Sequence, residues 1–420
     1  MGAPRFSIVI PTRERADTLR FALQTCLAQQ CDSVEIVVSD NCSSPATKET
    51  VDALGSPLIK YIRSKTPLAM SDNWEMAVSH ATGEYVIVIG DDDGLLLHAL
   101  NDLDRIIEQT SARLIQWTRV RYEWPDSLLT PDVLMIPMNR HDSIYDATEV
   151  IRDAIKECNT EVYHQLPMLY NSAVHQDLLS ELRHRTGRIF RSQIPDIYSG
   201  MALAYVAGKY LSVGRPMTID GSSGKSGGTA AVALQVESPI VQEFTGLNKA
   251  AGLQFHRLVP DFQSWPTVMT DAFLQAREAL FPNERRFGFS RKHFISHCLK
   301  AASQRSDSNR ASAVDAIRAS VSDDPVLSRW CEVELNSVPS GTDTSGTPGL
   351  AGRSNYLDRI RLRASDFGVT DVYGAAQLCE KLCHYCERPF LWRDAGWRPN
   401  GTMSVSRRLR RAVGVLLNGR

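Results

Sequence analysis

The stretch "YVIVIGDDDGLLLH" (85–98) joins a strand-like run to three adjacent aspartates. Residues 85–89 are aromatic or β-branched, which predicts a buried strand. Asp91, Asp92 and Asp93 follow it, and each carboxylate resists leaving water and repels its neighbours. One aspartate would suffice to cap the helix that follows. Three of them favour oxygen ligands for a hard divalent cation that bridges a phosphate-bearing substrate.

Strand and helix patterns alternate around this stretch, and they must position its carboxylates. Strand-like runs occupy residues 6–11, 35–40, 59–64, 85–90 and 113–120. Apolar residues recur at helical spacing in 16–29, 68–81 and 95–109. This alternation predicts an α/β fold with a mainly parallel sheet and helices on both faces. Ligands in such sheets bind beyond the carboxyl ends of the strands, where Asp40 and the three aspartates lie.

Composition narrows the class of protein. The 420 residues carry a formal net charge of -1, so bulk charge argues against a nucleic-acid partner. No apolar run approaches the roughly 20 residues that span a bilayer. The nine cysteines are odd in number, and with no export signal evident the sequence predicts reduced thiols and a cytoplasmic protein. Cys379, Cys383 and Cys386 share a helical face, which favours buried thiols over a zinc site with His384.

Changes in composition divide the chain into four parts. We predict a catalytic α/β domain at 1–230, a helical region at 231–336, a flexible linker at 337–355 and a C-terminal helical segment at 356–420. The last segment ends in the basic, amphipathic tail "SVSRRLRRAVGVLLNGR" (404–420). The tail fits either peripheral contact with an anionic membrane or packing of its apolar face on the body.

Three linked segments resemble the signature of glycosyltransferase family 2. They are "FSIVIPTRERADTLRFALQTCLAQ", "EIVVSDNCSS" and "NWEMAVSHATGEYVIVIGDDDGLLLHAL", in the family's order and spacing. The resemblance covers roughly the first hundred residues and implies a GT-A fold, to which the helical patterns later in the chain add C-terminal helices. It also implies inverting transfer of a sugar from a nucleotide-diphospho-sugar to an acceptor hydroxyl. The acceptor would be a glycan or a lipid-linked saccharide of the surface polysaccharide type.

The resemblance assigns roles at the donor side. Pro11, Thr12 and Glu14 fall where family members line the nucleotide pocket, although members often carry Asn at the position of Glu14. Asp40 falls where a family aspartate accepts the N–H of the nucleobase. These four residues are therefore expected to contact the nucleotide-sugar.

Asp91, Asp92 and Asp93 fall at the family's D-x-D motif, which holds the diphosphate through Mn²⁺ or Mg²⁺. One alignment puts Gly90 at the first aspartate and Asp92 at the metal ligand, and the other reads Asp91 and Asp93 directly. Both registers stay open at this point. We assign the metal to Asp93 and contacts with the nucleotide-sugar to Asp91 and Asp92.

The stretch 191–228 resembles the acceptor side of one subgroup of the family. Asp196, which precedes a helix there, is the candidate general base. It could instead simply open the helix at Ile197, and Asp220 is the reserve candidate. The loop "GSSGKSGG" (221–228) is not a Walker A loop because Ile219 stands where its first glycine belongs.

His293 and His297 are four residues apart. This spacing suits a metal, but such histidines more often only pack or face solvent.

Two other functions are possible on this pattern. A nucleotidyltransferase on a related fold is disfavoured because "IPTRERADT" lacks the glycines of such enzymes. A non-catalytic protein that binds sugar nucleotides is the alternative from another class.

Overall fold

The computed structural model describes residues 2–138, 141–157, 160–226, 238–305, 307–337 and 359–386. Residues 338–355 of the predicted linker and the whole predicted tail at 404–420 lie outside the described residues. None of the helices within the described ranges combines the length and the apolar composition that crossing a bilayer requires.

Four parallel strands form the N-terminal half of the main sheet. They are β1 (Phe6–Thr12), β2 (Val34–Asp40), β3 (Ile59–Arg63) and β4 (Tyr85–Val88). Successive side chains alternate between the two faces, so Ile8 and Val9 are both fully buried but belong to different hydrophobic clusters. Thr12 pairs with Asp40 at the carboxyl ends of β1 and β2. The chain beyond β4 leaves the sheet at that same edge.

The other strands of this sheet come from later in the chain. They are β6 (Leu114–Trp117), β9 (Ser143–Asp146), β10 (Ser172–His175) and β11 (Lys209–Val213). The eight strands are ordered β3-β2-β1-β4-β10-β6-β11-β9. Pairings are parallel at four of the seven interfaces. The predicted α/β class with a mainly parallel sheet is therefore confirmed.

A second, five-stranded sheet lies beside the aspartate cluster. Its strands are β5 (Gly94–Leu95), β7 (Val120–Glu123), β8 (Val133–Pro137), β12 (Thr218–Ser222) and β13 (Arg359–Arg363). Their order is β13-β8-β7-β12-β5. β5 begins directly after Asp93 and pairs antiparallel with β12, which carries Asp220. This pairing brings two distant acidic segments of the chain together.

Helices cover both faces of the main sheet. The first nine segments of helix are α1 (Ala16–Leu27), α2 (Pro45–Leu54), α3 (Met70–Ser79), α4 (Ala99–Thr110), α5 (Ala147–Glu157), α6 (Thr160–Tyr163), α7 (Gln176–Thr186), α8 (Pro195–Ala207) and α9 (Pro239–Ala250). The remainder are α10 (Trp265–Leu280), α11 (Arg291–Ser303), α12 (Asp307–Val321), α13 (Pro325–Ser337) and α14 (Val372–Cys386). α10 packs on α8, and α11 to α13 pack in turn beyond α10. The predicted C-terminal helical additions are thus present.

The C-terminal segment also contributes a strand that was not predicted. In β13, "RIRLR", Ile360 and Leu362 are buried while the arginines alternate with them. That period of two is a strand pattern, and it lets β13 pair antiparallel with β8. α14 packs against α1 and β12, and Val372 and Cys379 are buried in the core of the second sheet. Residues 359–386 therefore pack on the second sheet, whose strand β5 directly follows the aspartates.

Candidate active site

The aspartate cluster lies at the carboxyl ends of β1, β2 and β4, beside β12. Asp91, Asp92 and Asp93 follow β4 and are 2–3% exposed. Thr12 ends β1 and Asp40 ends β2 at the same edge. Buried carboxylates are costly unless they are hydrogen-bonded or paired, so their contacts decide what the cluster can do.

Asp91 contacts a hydroxyl and a guanidinium. The Thr12 Oγ1 hydroxyl donates to Asp91 Oδ2 at 2.6 Å, and Arg15 Nη1 donates to Oδ1 at 2.5 Å. Arg15 is the residue before α1, and its side chain is 15% exposed. Burial raises the pKa of Asp91, and the nearby Arg15 charge opposes that rise. For Arg15, the two neighbouring aspartates outweigh burial and raise its pKa, so the guanidinium stays charged.

Asp92 contacts the same guanidinium and the loop after β12. Arg15 Nη1 and Nη2 lie 3.3 Å from Asp92 Oδ1 and Oδ2, respectively. The Ser223 hydroxyl and amide donate to Oδ2 at 2.7 and 3.1 Å. Trp124 Nε1 donates to the Asp92 carbonyl at 3.0 Å. Asp92 therefore joins the strand-end loop to the start of the Gly/Ser loop.

Asp93 is held by backbone amides. Gly221 N donates to Oδ1 and Gly90 N donates to Oδ2, each at 2.7 Å, and the Tyr170 hydroxyl also hydrogen-bonds the carboxylate. Burial, followed by the charges of Asp92 and Asp220, raises the pKa of Asp93 well above its usual range. A Cβ at position 221 would lie 1.8 Å from the Asp92 carbonyl oxygen, so this close approach requires glycine. Asp93 thus holds the loop after β4 against Gly221 of β12.

These contacts test whether a divalent cation fits. Every carboxylate oxygen of the three aspartates accepts at least one hydrogen bond from the protein. Within the described ranges, no three His, Cys, Asp or Glu side chains are arranged to hold a metal ion. Asp91 and Asp92, however, are both paired with the single guanidinium of Arg15. Mg²⁺ or Mn²⁺ is commonly held by one or two carboxylates, with substrate phosphates and water as its other ligands. Such an ion fits Asp91 and Asp92 provided that Arg15 moves.

Arg119 lies on the other side of the cluster and was missed by the sequence analysis. Its side chain is 6% exposed, lies 3.6 Å from Asp220 Oδ2 and stands 5.1 Å above the Tyr170 ring. Burial would lower its pKa, but Asp220 and its other neighbours raise it overall. A single arginine in the apolar run "LIQWTRV" was the only sequence signal. Arg119 supplies a buried positive charge beside Asp220 that also interacts electrostatically with Asp93.

Asp196 approaches the same region from α8. The Tyr163 hydroxyl donates to Asp196 Oδ2 at 3.1 Å, and Pro195 and Asp196 form the first turn of the helix. Burial raises the pKa of Asp196, while the Ile197 amide, Arg119 and Tyr163 act in the opposite direction. Burial, reinforced by Asp196, raises the pKa of Tyr163, which keeps that hydroxyl a proton donor. The side chain of Asp196 remains partly accessible.

The residues assigned to the nucleotide pocket divide into two groups. Thr12 contacts the aspartate cluster directly, and Pro11 precedes it in β1. Glu14 instead is exposed and accepts from the amide and hydroxyl of Ser44, the N-cap residue of α2, at 2.8 Å, so it anchors the start of α2. Its φ of 54° is unusual for a residue other than glycine.

Asp40 is fully buried, and both oxygens of its carboxylate are hydrogen-bonded within the protein. Its Oδ1 accepts from the Ser43 amide at 2.8 Å, and its Oδ2 accepts from the Tyr61 hydroxyl and lies 3.3 Å from Arg63 Nε. Burial and the hydrogen bond to Asp40 raise the pKa of Tyr61. A nucleobase would have to share oxygens that the protein already uses.

We expect Asp40→Ala to lower the free energy of unfolding by about 1–3 kcal/mol, because it leaves a buried amide unpaired. Urea denaturation measures this loss. Asp52→Ala is the matched control, since Asp52 is exposed and its side chain pairs with Lys48 on the same helix. Equal stability of the two variants would show that the Asp40 contacts contribute nothing.

The start of the Gly/Ser loop contacts the cluster through Gly221 and Ser223, whereas Lys225 of the same loop pairs with Asp17 at 3.0 Å. The His293 and His297 Nε2 atoms are 3.1 Å apart on an exposed face of α11. Cys379 is buried, as predicted for a packed thiol, whereas the side chains of Cys383, His384 and Cys386 lie outside the described residues.

Comparison with known proteins gives one family. Residues 7–179 match the family described as "Glycosyl transferase family 2". A GalNAc(5)-diNAcBac-PP-undecaprenol beta-1,3-glucosyltransferase of Campylobacter jejuni is 34% identical over 103 residues, which are 24% of this chain and 33% of that protein. The succinoglycan biosynthesis protein ExoO of Rhizobium meliloti is 29% identical over 109 residues, 26% of this chain and 30% of that protein. The chain thus spans about a third of the length of these curated relatives.

Solved structures of low sequence identity also superpose on the chain. S. aureus TarS 1–349 in complex with UDP-GlcNAc has a TM-score of 0.45 and 14% identity, over 79% of this chain and 92% of that one. The mannosyltransferase PcManGT from Pyrobaculum calidifontis in complex with GDP-Man and Mn²⁺ has a TM-score of 0.36 and 16% identity, over 79% and 88%.

Proposed function

We propose, from the match of residues 7–179 to glycosyl transferase family 2, that the chain moves a sugar from a nucleotide-diphospho-sugar to an acceptor hydroxyl. One observation carries the proposal. Arg119 interacts electrostatically with Asp93 of the buried aspartate cluster and with Asp196, a partly accessible carboxylate at the start of α8. This shared arginine supports a donor side and a candidate base that lie near each other.

At the donor side, we propose that Asp91 and Asp92 hold Mn²⁺ or Mg²⁺. Asp93 was the residue assigned to the metal from the sequence, but backbone amides already occupy both of its oxygens. When bound, the metal would neutralise charge that develops on the diphosphate leaving group. Arg119 would add a preorganised positive charge to the same region, with no reorganisation at the moment of reaction.

The nucleotide would lie over the ends of β1 and β2. Pro11 and Thr12 would line it, and Asp40 would accept a base N–H with an oxygen that can take a second hydrogen bond. Glu14 would act indirectly, because it holds the start of α2 through Ser44. Arg63, beside Asp40, is half exposed and would have to yield space to the base.

At the acceptor side, we propose that Asp196 takes the proton of the attacking hydroxyl. A hydroxyl is a poor nucleophile until its proton is removed during attack. Tyr163 orients Asp196 and stabilises its ionised form through their hydrogen bond. Direct displacement by the activated hydroxyl would invert the configuration at the anomeric carbon, as the family resemblance implies. Asp220 remains the reserve base.

We expect Tyr163→Phe to move the acid limb of the kcat/KM profile to higher pH. Asp196 must be ionised to act, and its pKa is already raised by burial. Loss of the Tyr163 hydrogen bond, which favours the charged carboxylate, raises the pKa of Asp196 further. Tyr198→Phe is the control, because within the described residues the buried Tyr198 hydroxyl has no hydrogen-bond partner. Identical profiles for both variants would exclude Tyr163 as the orienting residue.

The acceptor class is proposed from the relatives. The Campylobacter relative is named for an undecaprenol-linked saccharide, and the Rhizobium relative for succinoglycan biosynthesis. We propose a saccharide or lipid-linked acceptor of the surface polysaccharide type, met at the inner face of the membrane by a cytoplasmic, peripheral protein. Contact of residues 404–420 with anionic lipid stays a prediction, because that tail lies outside the described residues.

A panel of nucleotide-sugars tests this function. Each donor is added with Mn²⁺, Mg²⁺ or EDTA, and thermal stabilisation and slow hydrolysis are measured. We expect at least one donor to stabilise the protein and to be hydrolysed only with metal. Stabilisation and hydrolysis by none of them, with either metal, would contradict the proposal.

A further inference from the structure

Arg15 occupies the face of the aspartate pair that a divalent cation would use. Its guanidinium contacts Asp91 at 2.5 Å and Asp92 at 3.3 Å, and Nη2 also lies 3.2 Å from the Ser223 hydroxyl. No other cationic side chain forms an ion pair with Asp91 or Asp92 among the residues that the structure describes. The two carboxylates therefore already hold one resident positive charge.

The main chain of Arg15 is held at the start of α1, whereas its guanidinium can bind other anionic groups. The Arg15 carbonyl accepts from the amides of Thr18 and Leu19, which anchors the residue at the start of α1. The side chain beyond it is long and partly exposed. A guanidinium can exchange a carboxylate for a phosphate, because both offer paired oxygens to its fork of N–H donors.

A guanidinium and a divalent cation cannot share the same carboxylate oxygens without strong repulsion. We propose that a divalent cation displaces Arg15 from Asp91 and Asp92, and that the displaced guanidinium then binds the donor diphosphate. This inference rests on the proposed function and deepens it. Metal alone binds weakly, because Arg15 loses its partners. Metal and nucleoside diphosphate together bind cooperatively, because the phosphates supply new partners to Arg15.

The test compares Mn²⁺ affinity with and without a nucleoside diphosphate, from unbound Mn²⁺ measured by electron paramagnetic resonance. UDP and GDP are the two nucleotides used, and binding of Mn²⁺ to each nucleotide alone is subtracted. We expect wild-type protein to bind Mn²⁺ at least about fivefold more tightly when one of them is bound. Arg15→Gln should bind Mn²⁺ alone at least about fivefold more tightly than wild type and should lose the nucleotide effect.

Two further variants control for charge and for folding. Arg20→Gln removes a positive charge from an exposed position on α1 that stacks on Phe21 and does not contact the aspartates, so it should match wild type. Arg15→Lys keeps the charge without the fork, so its Mn²⁺ affinity should lie between those of Arg15→Gln and wild type. Thermal melts of all variants show that each is folded.

The outcomes separate this inference from the function it rests on. If Arg15→Gln binds Mn²⁺ alone no more tightly than wild type, or if no variant binds Mn²⁺, the competition is refuted. If Mn²⁺ binding tightens but the nucleotide effect equals that of wild type, transfer of Arg15 to the diphosphate is refuted. If neither UDP nor GDP binds any variant while Arg15→Gln still tightens Mn²⁺ binding, the competition is supported and a UDP- or GDP-linked donor is contradicted.

Discussion

Replacement of Asp196 by Asn is expected to lower the rate of sugar transfer by about 10²–10⁴-fold while leaving donor binding unchanged. Asn keeps the size of Asp196 and can still accept the hydrogen bond from Tyr163. It cannot take a proton from the acceptor hydroxyl. The variant should also fold, because burial disfavours the charged carboxylate that the substitution removes.

The measurement pairs two readouts on one protein. Calorimetry gives the donor dissociation constant in the presence of metal, and a single-turnover assay gives the rate of transfer. Asp177→Asn is the matched control, since Asp177 lies in the first turn of α7 on an exposed surface. Transfer near the wild-type rate in Asp196→Asn would leave Asp196 as a helix residue only and make Asp220 the next candidate. Collapse of donor binding would instead move Asp196 to the donor side.

Substitution of Asp92 and of Asp93 is expected to have different effects, the first on metal-dependent donor binding and the second on stability. Asp92→Asn keeps an acceptor for Ser223 but removes one of the two charges that face Arg15. We expect metal-dependent donor affinity to fall by more than the 10–100-fold typical of residues that merely support a metal ligand. Isothermal titration with the donor and Mn²⁺ measures the loss, and thermal melting should show a folded protein.

Asp93→Ala should act first on stability. It leaves the amides of Gly90 and Gly221 without their acceptor, at a cost of about 1–3 kcal/mol for each buried amide. Urea denaturation measures that cost. If Asp93→Ala instead folds with wild-type stability and loses metal binding, while Asp92→Asn retains it, the register that reads Asp91 and Asp93 as ligands is correct and our assignment is wrong.

The sequence was informative wherever a local pattern carries the structure. Alternating β-branched residues in β1, β2 and β4 predicted buried strands, and the aspartates after β4 were predicted to lie at a ligand-binding edge. The α/β class with a mainly parallel sheet is confirmed, as is the presence of C-terminal helices. Periodicity predicted both, because it reports which face of an element is buried.

Contacts across the fold were not predictable in the same way. Arg15 reaches Asp91 from a different element, and Arg119 is buried beside Asp220, which lies a hundred residues later in the chain. β13 pairs with β8 although more than two hundred residues separate them. Periodicity shows that such a segment has a buried face but does not identify the partner that buries it. The division of the chain into domains and the role of its C-terminal tail remain predictions.

Two rival functions predict different products. A nucleotidyltransferase would release pyrophosphate from a nucleoside triphosphate and attach a nucleotide to its second substrate. A non-catalytic binding protein would be stabilised by a nucleotide-sugar without consuming it. The presence of Asp196 beside Tyr163, with Arg119 interacting electrostatically with both Asp196 and Asp93, favours turnover of the donor over binding alone.

The most direct measurement is the mass balance of a single reaction. The protein is incubated with the stabilising nucleotide-sugar, Mn²⁺ and a lipid-linked saccharide acceptor, and both products are quantified by mass spectrometry. The account predicts an acceptor heavier by one sugar residue and an equal amount of nucleoside diphosphate, with transfer nearly absent in Asp196→Asn. A donor that binds but yields no glycosylated acceptor, or an acceptor that gains a nucleotide with release of pyrophosphate, would contradict it.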